Sequence, residues 1–193
     1  MDVVRVAVSK TRDINNSIQA EGAVWREDTE RTGVPEARDQ QTEQMSYTNT
    51  MYHIVLRTHR SEPTIVVEHE RDLYAYIMGI VNNMNGKLYR VGGMPDHVHL
   101  LVSLPATLAM SKFVQDLKVS TSKWLKANMG FPHFDGWSRE YAGFRYGVKD
   151  KDMIVNYIKN QKEHHRRVSF REEYMVFLQE NGMTIDERYM MKE

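Results

Sequence analysis

The chain of 193 residues suits one domain with room for an appendage, and its 41% hydrophobic content is enough for a real core. Zero cysteines exclude a disulfide framework, a thiolate metal site and a cysteine nucleophile. No run approaches the roughly 18 apolar residues of a membrane helix, and MDVVRVAVSKTRD lacks the apolar stretch of a signal peptide, so a soluble cytoplasmic protein is expected. The zero net charge hides an asymmetry. Residues 1–44 carry 6 Lys and Arg against 9 Asp and Glu, whereas residues 112–171 carry 13 against 6. The second half is therefore the place to look for a polyanion-binding surface.

Residues 1–44, with segments such as REDTERTGVPEARDQQTEQ, are polar and show no sustained period. They are expected to be disordered or a non-native extension, with a short strand at 3–8 as the structural alternative, leaving residues 45–193 as the domain. Order is expected from Tyr52, where Tyr52, Ile54 and Leu56 alternate with His53, Val55 and Arg57 as a strand does. A helix follows, with Leu73, Ile77, Ile80, Val81 and Met84 at helical spacing and Gly86 as its stop. Residues 87–91 read as a short strand, GGMPD as a turn and 97–104 as a strand. Thr107 is placed to cap a helix with the inner stripe Met110, Phe113, Val114, Leu117, Thr121, Trp124 and Leu125. Residues 140–148 read as a strand, and Asp150 opens a helix running to about His165. Ser169 and Glu172 form a capping box for a last helix ending at Gly182. This order is a split β-α-β unit repeated. The fold class is α+β, a ferredoxin-like antiparallel sheet with helices packed on one face, plus extra C-terminal helices.

In PDHVHLLVSLP, strand alternation puts Val98, Leu100, Val102 and Leu104 on one face and His97, His99, Leu101 and Ser103 on the other. Two imidazoles one residue apart on a strand face can both reach a single cation, although a bare HxH also fits two surface histidines. In DKDMIVNYIKNQKEHH the inward stripe is Met153, Ile154, Tyr157, Ile158 and Gln161, then His164 or His165. Tyr157 and Gln161 stack at i and i+4. A glutamine on an apolar stripe is costly to bury without a partner, which a metal or polar site would supply. Around these motifs Lys118, Lys123, Lys126, Arg139 and Arg145 are interleaved with Trp124, Trp137, Tyr141, Phe144 and Tyr146. Cations for phosphates and rings for unpaired bases are what single-strand binding needs.

Together, PDHVHLLVSLP, NYIKNQ and the element order resemble the single-tyrosine HUH transposases of small insertion sequences, including the repeat-associated tyrosine transposases, over about residues 45–180. The resemblance implies a DNA-nicking and rejoining enzyme that acts on single-stranded, hairpin-bearing element ends through a covalent 5′-phosphotyrosine. It makes Tyr157 the nucleophile and His97, His99 and Gln161 the ligands of a divalent ion, Mg²⁺ or Mn²⁺. His165 and Lys159 are auxiliary candidates, for proton transfer or ligation and for assisting the tyrosine. A homodimer with the tyrosine helix of one chain serving the histidines of the other is also expected. The rival readings are a non-catalytic single-stranded nucleic-acid-binding module on a ferredoxin-like sheet and a hydrolase using the histidine pair alone. No RNP-type K/R-G-F/Y-G/A-F-V-x-F/Y stretch supports the first.

Overall fold

The computed structural model describes residues 50–183. The expectations for residues 1–44, including the alternative strand at 3–8, lie outside the described residues.

Four antiparallel strands form one sheet in the order β2-β3-β1-β4: β1 Met51–Arg57, β2 Lys87–Met94, β3 His97–Ser103 and β4 Ala142–Tyr146. Helices α1 (Glu70–Asn83) and α2 (Met110–Ala127) make the crossovers. The chain closes with α3 (Lys151–Lys159), a single turn α4 (Gln161–His164) and α5 (Phe170–Glu180). This is the ferredoxin-like arrangement with its C-terminal additions.

The two faces of the sheet bury different cores. On one, Ile54, Leu56, Val98, Leu100 and Val102 meet Leu73, Ile77 and Val81 of α1 and Phe113, Val114, Leu117 and Leu125 of α2. On the other, Met51, Val55, Leu101, Ala142 and Phe144 meet Ile154, Tyr157 and Ile158 of α3 and Phe170, Tyr174 and Phe177 of α5. The added helices thus cover the second face rather than extending the first layer. That face offers no open stacking platform of the kind a sheet-based RNA-recognition module presents. Each apolar side chain buried this way contributes on the order of 1.5–3 kcal/mol.

Several boundaries differ from the sequence expectation. Strand β2 runs through Gly92, Gly93 and Met94, which pair with His99, Val98 and His97, so the turn is only Pro95-Asp96. A Cβ on Gly92 would stand 2.9 Å from the Ile158 carbonyl oxygen, so its missing side chain is what lets α3 lie close on the sheet. Asn85 (φ 55°), not Gly86, takes the left-handed position after α1. Helix α2 begins at Met110 after Ala109, because the Leu108 N–H turns back onto the Pro105 carbonyl and Thr107 does not cap. Strand β4 is confined to 142–146 because Glu140 turns to Arg57 and Gly147 opens a turn whose N–H donates to Asp150. The tyrosine helix breaks at Asn160 instead of running to His165. The capping box at Ser169 forms as expected, with Glu172 N–H on Ser169 Oγ and Ser169 N–H on Glu172 Oε2.

Candidate active site

Strand β3 is central and covered on both faces, a setting that ordinarily demands an unbroken apolar strand. His97 and His99 are nevertheless fully buried in it. In the sheet register they lie opposite Arg57 and Val55 of β1, so His97, His99, Val55, Arg57 and His53 share the face covered by α3 and α5. Burying imidazoles is costly unless their nitrogens find partners.

Those partners are specific. His97 Nδ1 lies 2.7 Å from Asp96 Oδ1, so its N–H donates to the carboxylate and Nε2 keeps a lone pair. His99 Nδ1 lies 2.9 Å from Nε2 of His53, itself completely buried on β1. His165 Nδ1 lies 2.8 Å from the Val168 carbonyl and donates to it. The three Nε2 atoms converge with Glu173, on α5: the donor atoms of His97, His99, His165 and Glu173 all lie within 4.8 Å of one another. Burial, then the neighbouring His97, holds the His99 imidazole well below its ordinary range, and the same two causes push His165 down to about 4. Both are therefore neutral bases near pH 7. Burial pushes the Glu173 carboxyl up to about 8, opposed by His97 and reinforced by Asp96.

Helices α3 and α4 supply the other half. Tyr157 is buried, its ring edge-on to His99 at 6.0 Å between centroids, and its hydroxyl donates to Glu173 Oε1. Gln161 is buried one turn later; its amide nitrogen donates to the same Oε1 at 3.0 Å and its Oε1 stands 3.5 Å from His97 Nε2. Phe170 stacks flat on the His97 ring at 4.1 Å between centroids, and the Phe177 ring lies edge-on to His53.

The structure therefore gathers His97, His99, Tyr157, Gln161 and His165 into one buried cluster. It does not bring Lys159 there: that side chain is exposed and lines an adjoining groove with Lys162, Glu70 and Gln161. Sequence reasoning missed Glu173 and His53. The signal for Glu173 was present, since it shares the inner stripe of α5 with Phe170, Tyr174 and Phe177, and a glutamate on such a stripe is as anomalous as Gln161 on its own. His53 required the β1–β3 register, which the sequence does not print.

Of the five basic residues read as DNA contacts, Lys118, Lys123, Lys126 and Arg139 line one open groove of about 620 Å³ with Trp137 and Tyr141. Lys118 also fastens the groove wall, donating at 2.8 Å to the carbonyls of Ser138 and Glu140. Arg145 is exposed on β4, outside that groove. No helix among the described residues is long and apolar enough to cross a membrane.

Residues 46–161, which carry the sheet, both strand histidines, Tyr157 and Gln161, match the family model described as "Transposase IS200 like". The chain belongs to the IS200-like transposase family. It is 27% identical over 119 residues to the transposases for insertion sequence IS200 of Salmonella typhimurium and Salmonella typhi, covering 60% of this chain and 78% of each relative. Similar solved structures include a protein of Deinococcus radiodurans R1 assigned as a transposase, at 25% identity over 60% of this chain and 93% of that one, with a TM-score of 0.48. Another is a REP-associated tyrosine transposase bound to a REP hairpin, at 19% identity over 64% of this chain and 76% of that one, with a TM-score of 0.46.

Proposed function

We propose that this IS200-like transposase nicks and rejoins single-stranded DNA at hairpin-bearing element ends, in a metal-dependent reaction with Tyr157 as nucleophile, within a domain spanning residues 45–193. The observation that carries the reading is the meeting of a buried tyrosine hydroxyl with the two strand histidines in one cluster, over a sheet face that packing alone would have filled with apolar side chains. The donor set suits a divalent ion: His99 Nε2 and Glu173 Oε2 are buried without a hydrogen bond. His97 and His99 would hold the ion through their Nε2 atoms, with Gln161 Oε1 at the edge of the same space. Bound there, a divalent metal polarises the non-bridging oxygens of the scissile phosphate and offsets the charge that builds on them.

The chain's own groups do the rest. Tyr157 Oη forms a bond to phosphorus as the bond from phosphorus to the upstream 3′ oxygen breaks. The hydroxyl proton passes to Glu173 Oε1 when that carboxyl, raised to about 8, is ionised, and the departing 3′ oxygen takes a proton from solvent. The 5′-phosphotyrosine conserves the energy of the broken linkage, so attack by another 3′ hydroxyl joins strands and restores the tyrosine. The groove of Lys123, Lys126 and Arg139, with Trp137 and Tyr141, suits a phosphate backbone with unpaired bases.

The test is covalent capture. Full-length protein is incubated with a single-stranded oligonucleotide bearing a hairpin-flanked element end and Mn²⁺, and the DNA-linked peptide is mapped by mass spectrometry. An adduct on Tyr157 that disappears with excess chelator is expected. Tight DNA binding with no adduct under any metal indicates a binding module instead, and an adduct that survives chelation removes the metal from the reaction.

A further inference from the structure

We infer that Glu173 and His165 are metal ligands, completing with His97 and His99 a centre of three imidazoles and one carboxylate that takes a transition metal in preference to Mg²⁺ and can add a phosphate oxygen as a further ligand. The inference rests on the metal dependence proposed above and extends its ligand set beyond the strand histidines.

The first support is the tautomers. The Nδ1 atoms of His97 and His165 donate to fixed acceptors, the Asp96 carboxylate and the Val168 carbonyl, and His99 Nδ1 pairs with Nε2 of His53, leaving His99 Nε2 buried without a hydrogen bond. A neutral imidazole carries one N–H, so where Nδ1 donates, Nε2 is left with a bare lone pair. Outer partners of this kind are what orient metal-bound histidines.

The second is the spacing of what remains. His97 Nε2 stands 3.1 Å from His165 Nε2 and 3.9 Å from Glu173 Oε2. Glu173 Oε2 stands 3.5 Å from His99 Nε2 and 3.4 Å from His165 Nε2. Around a tetrahedral ion with bonds of about 2.0–2.2 Å, neighbouring donors lie about 3.4 Å apart. These four of the six separations bracket that value, and all the donor atoms lie within 4.8 Å of one another. Two imidazole lone pairs facing each other across 3.1 Å in a buried site repel unless a cation lies between them.

The third is the division of labour on Glu173. Its Oε1 is occupied by the Tyr157 hydroxyl and the Gln161 amide, which turns Oε2 toward the three nitrogens. Gln161 is thereby a positioning residue for the carboxylate. Phe170 stacks flat on the His97 ring. Three neutral imidazoles favour Zn²⁺ or Co²⁺, and Mn²⁺ less strongly, over Mg²⁺, which prefers an octahedron of oxygens.

The experiment measures metal binding, not turnover. Chelator-treated full-length protein is titrated with Mn²⁺, with free ion read by electron paramagnetic resonance. Glu173→Gln and His165→Ala are each expected to weaken Mn²⁺ binding by more than the roughly 10–100-fold that outer partners carry. A large excess of Mg²⁺ should not displace the Mn²⁺. Glu173→Gln or His165→Ala binding Mn²⁺ like wild type, while His97→Ala loses it, overturns this inference alone and leaves Glu173 as a hydrogen-bond partner. His97→Ala also binding like wild type brings down the metal reading beneath it. Should either variant fail to fold, Co²⁺ loaded into the DNA-free wild-type protein decides: the intense visible bands of four- or five-coordinate Co²⁺ support the four-ligand set, and the weak bands of a six-coordinate, water-rich ion overturn it.

Discussion

The Tyr157 hydroxyl donates to Oε1 of Glu173, a carboxylate 16 residues later on a different helix. This one hydrogen bond joins the tyrosine proposed as nucleophile to the only acidic side chain buried in the cluster among the described residues, and it depends on α5 folding back across the sheet. A free tyrosine loses its proton near pH 10, so an acceptor already in place matters more to this nucleophile than it would to a thiol.

Tyr157→Phe separates nucleophile from scaffold. The ring keeps its edge contacts with His99 and Phe177, and Glu173 Oε1 keeps the Gln161 amide. Covalent capture and nicking should vanish, while stability falls by only about 1 kcal/mol for the one hydrogen bond removed. DNA binding should match wild type, and Mn²⁺ affinity should fall less than in Glu173→Gln, because the Gln161 amide still turns the carboxylate toward the histidines. Cleavage persisting in Tyr157→Phe would assign the attack to another group.

His53→Phe tests whether the buried partner of His99 tunes the proposed metal centre. Phenylalanine fills the volume among Phe144, Tyr157 and Phe177 but offers His99 Nδ1 no partner. Mn²⁺ affinity should fall about 10–100-fold, as for other outer partners. Because burial, then His99, holds the His53 imidazole well below its ordinary range, the residue is neutral and its replacement removes no buried charge. A melting temperature lowered by the unpartnered His99 Nδ1, a cost of about 1–3 kcal/mol, is expected alongside the weaker binding. Unchanged affinity would show that His99 keeps its orientation unaided.

Much of this was legible in the residues, and the remainder has identifiable causes. Alternation in PDHVHLLVSLP assigned the two faces of β3 correctly, and helical spacing found the buried stripe Ile154, Tyr157, Ile158 and Gln161. Local periodicity is a local signal, and these assignments needed nothing more. The second helical layer and the meeting of Glu173 with Tyr157 depend on where α5 lands, which no pairwise spacing encodes. Gly92 and Gly93 read as a turn because glycine usually marks one; here they are strand residues kept bare so that α3 and the end of β3 can approach.

That role makes Gly92 testable. A methyl group there meets the Ile158 carbonyl oxygen at 2.9 Å and Ile158 Cγ2 at 3.1 Å. Gly92→Ala should cost about 1–3 kcal/mol as overpacking and lift the helix carrying Tyr157 away from His99. Thermal melts and nicking assays should show a lower Tm and a cleavage loss larger than any loss of DNA binding. Wild-type nicking with a lower Tm would mean that α3 need not sit so close.

The basic groove predicts a salt signature. Lys123→Ala combined with Lys126→Ala removes two exposed cations from its wall without touching the buried cluster. Affinity for single-stranded DNA should drop, and the slope of log K against log salt should become shallower by about 0.7 for each phosphate the protein no longer neutralises. Tm and Mn²⁺ affinity should be unaffected. An unchanged slope would place the DNA elsewhere, with the exposed Arg145 on β4 the next surface to test.

The last prediction concerns which chain serves which site. The resemblance suggests a homodimer in which the tyrosine of one subunit completes the histidine site of the other, and the glycine-containing link at 146–150 reads in the sequence as a hinge for such an exchange. The geometry argues for a site made within one chain. Tyr157 packs edge-on to His99 of its own chain, its hydroxyl is bound by Glu173 of that chain, and Gln161 reaches the same carboxylate. The link itself folds into a tight turn, with the Asp150 N–H on the Gly147 carbonyl and the Gly147 N–H on the Asp150 carboxylate, which commits α3 to its own sheet. Moving the helix to a neighbour would expose Ile154 and Ile158, now almost fully buried against that sheet. A subunit-mixing experiment reads the outcome. Inactive Tyr157→Phe protein is combined with an inactive His97→Ala, His99→Ala double variant, under conditions where differently tagged subunits demonstrably exchange if the protein is dimeric. A site built within each chain leaves the mixture unable to form the tyrosine adduct, because no polypeptide carries both the histidines and the hydroxyl. Recovery of adduct formation in proportion to the heterodimer present would show that the helix crosses between chains, and that the arrangement around Glu173 belongs to a state the reaction leaves.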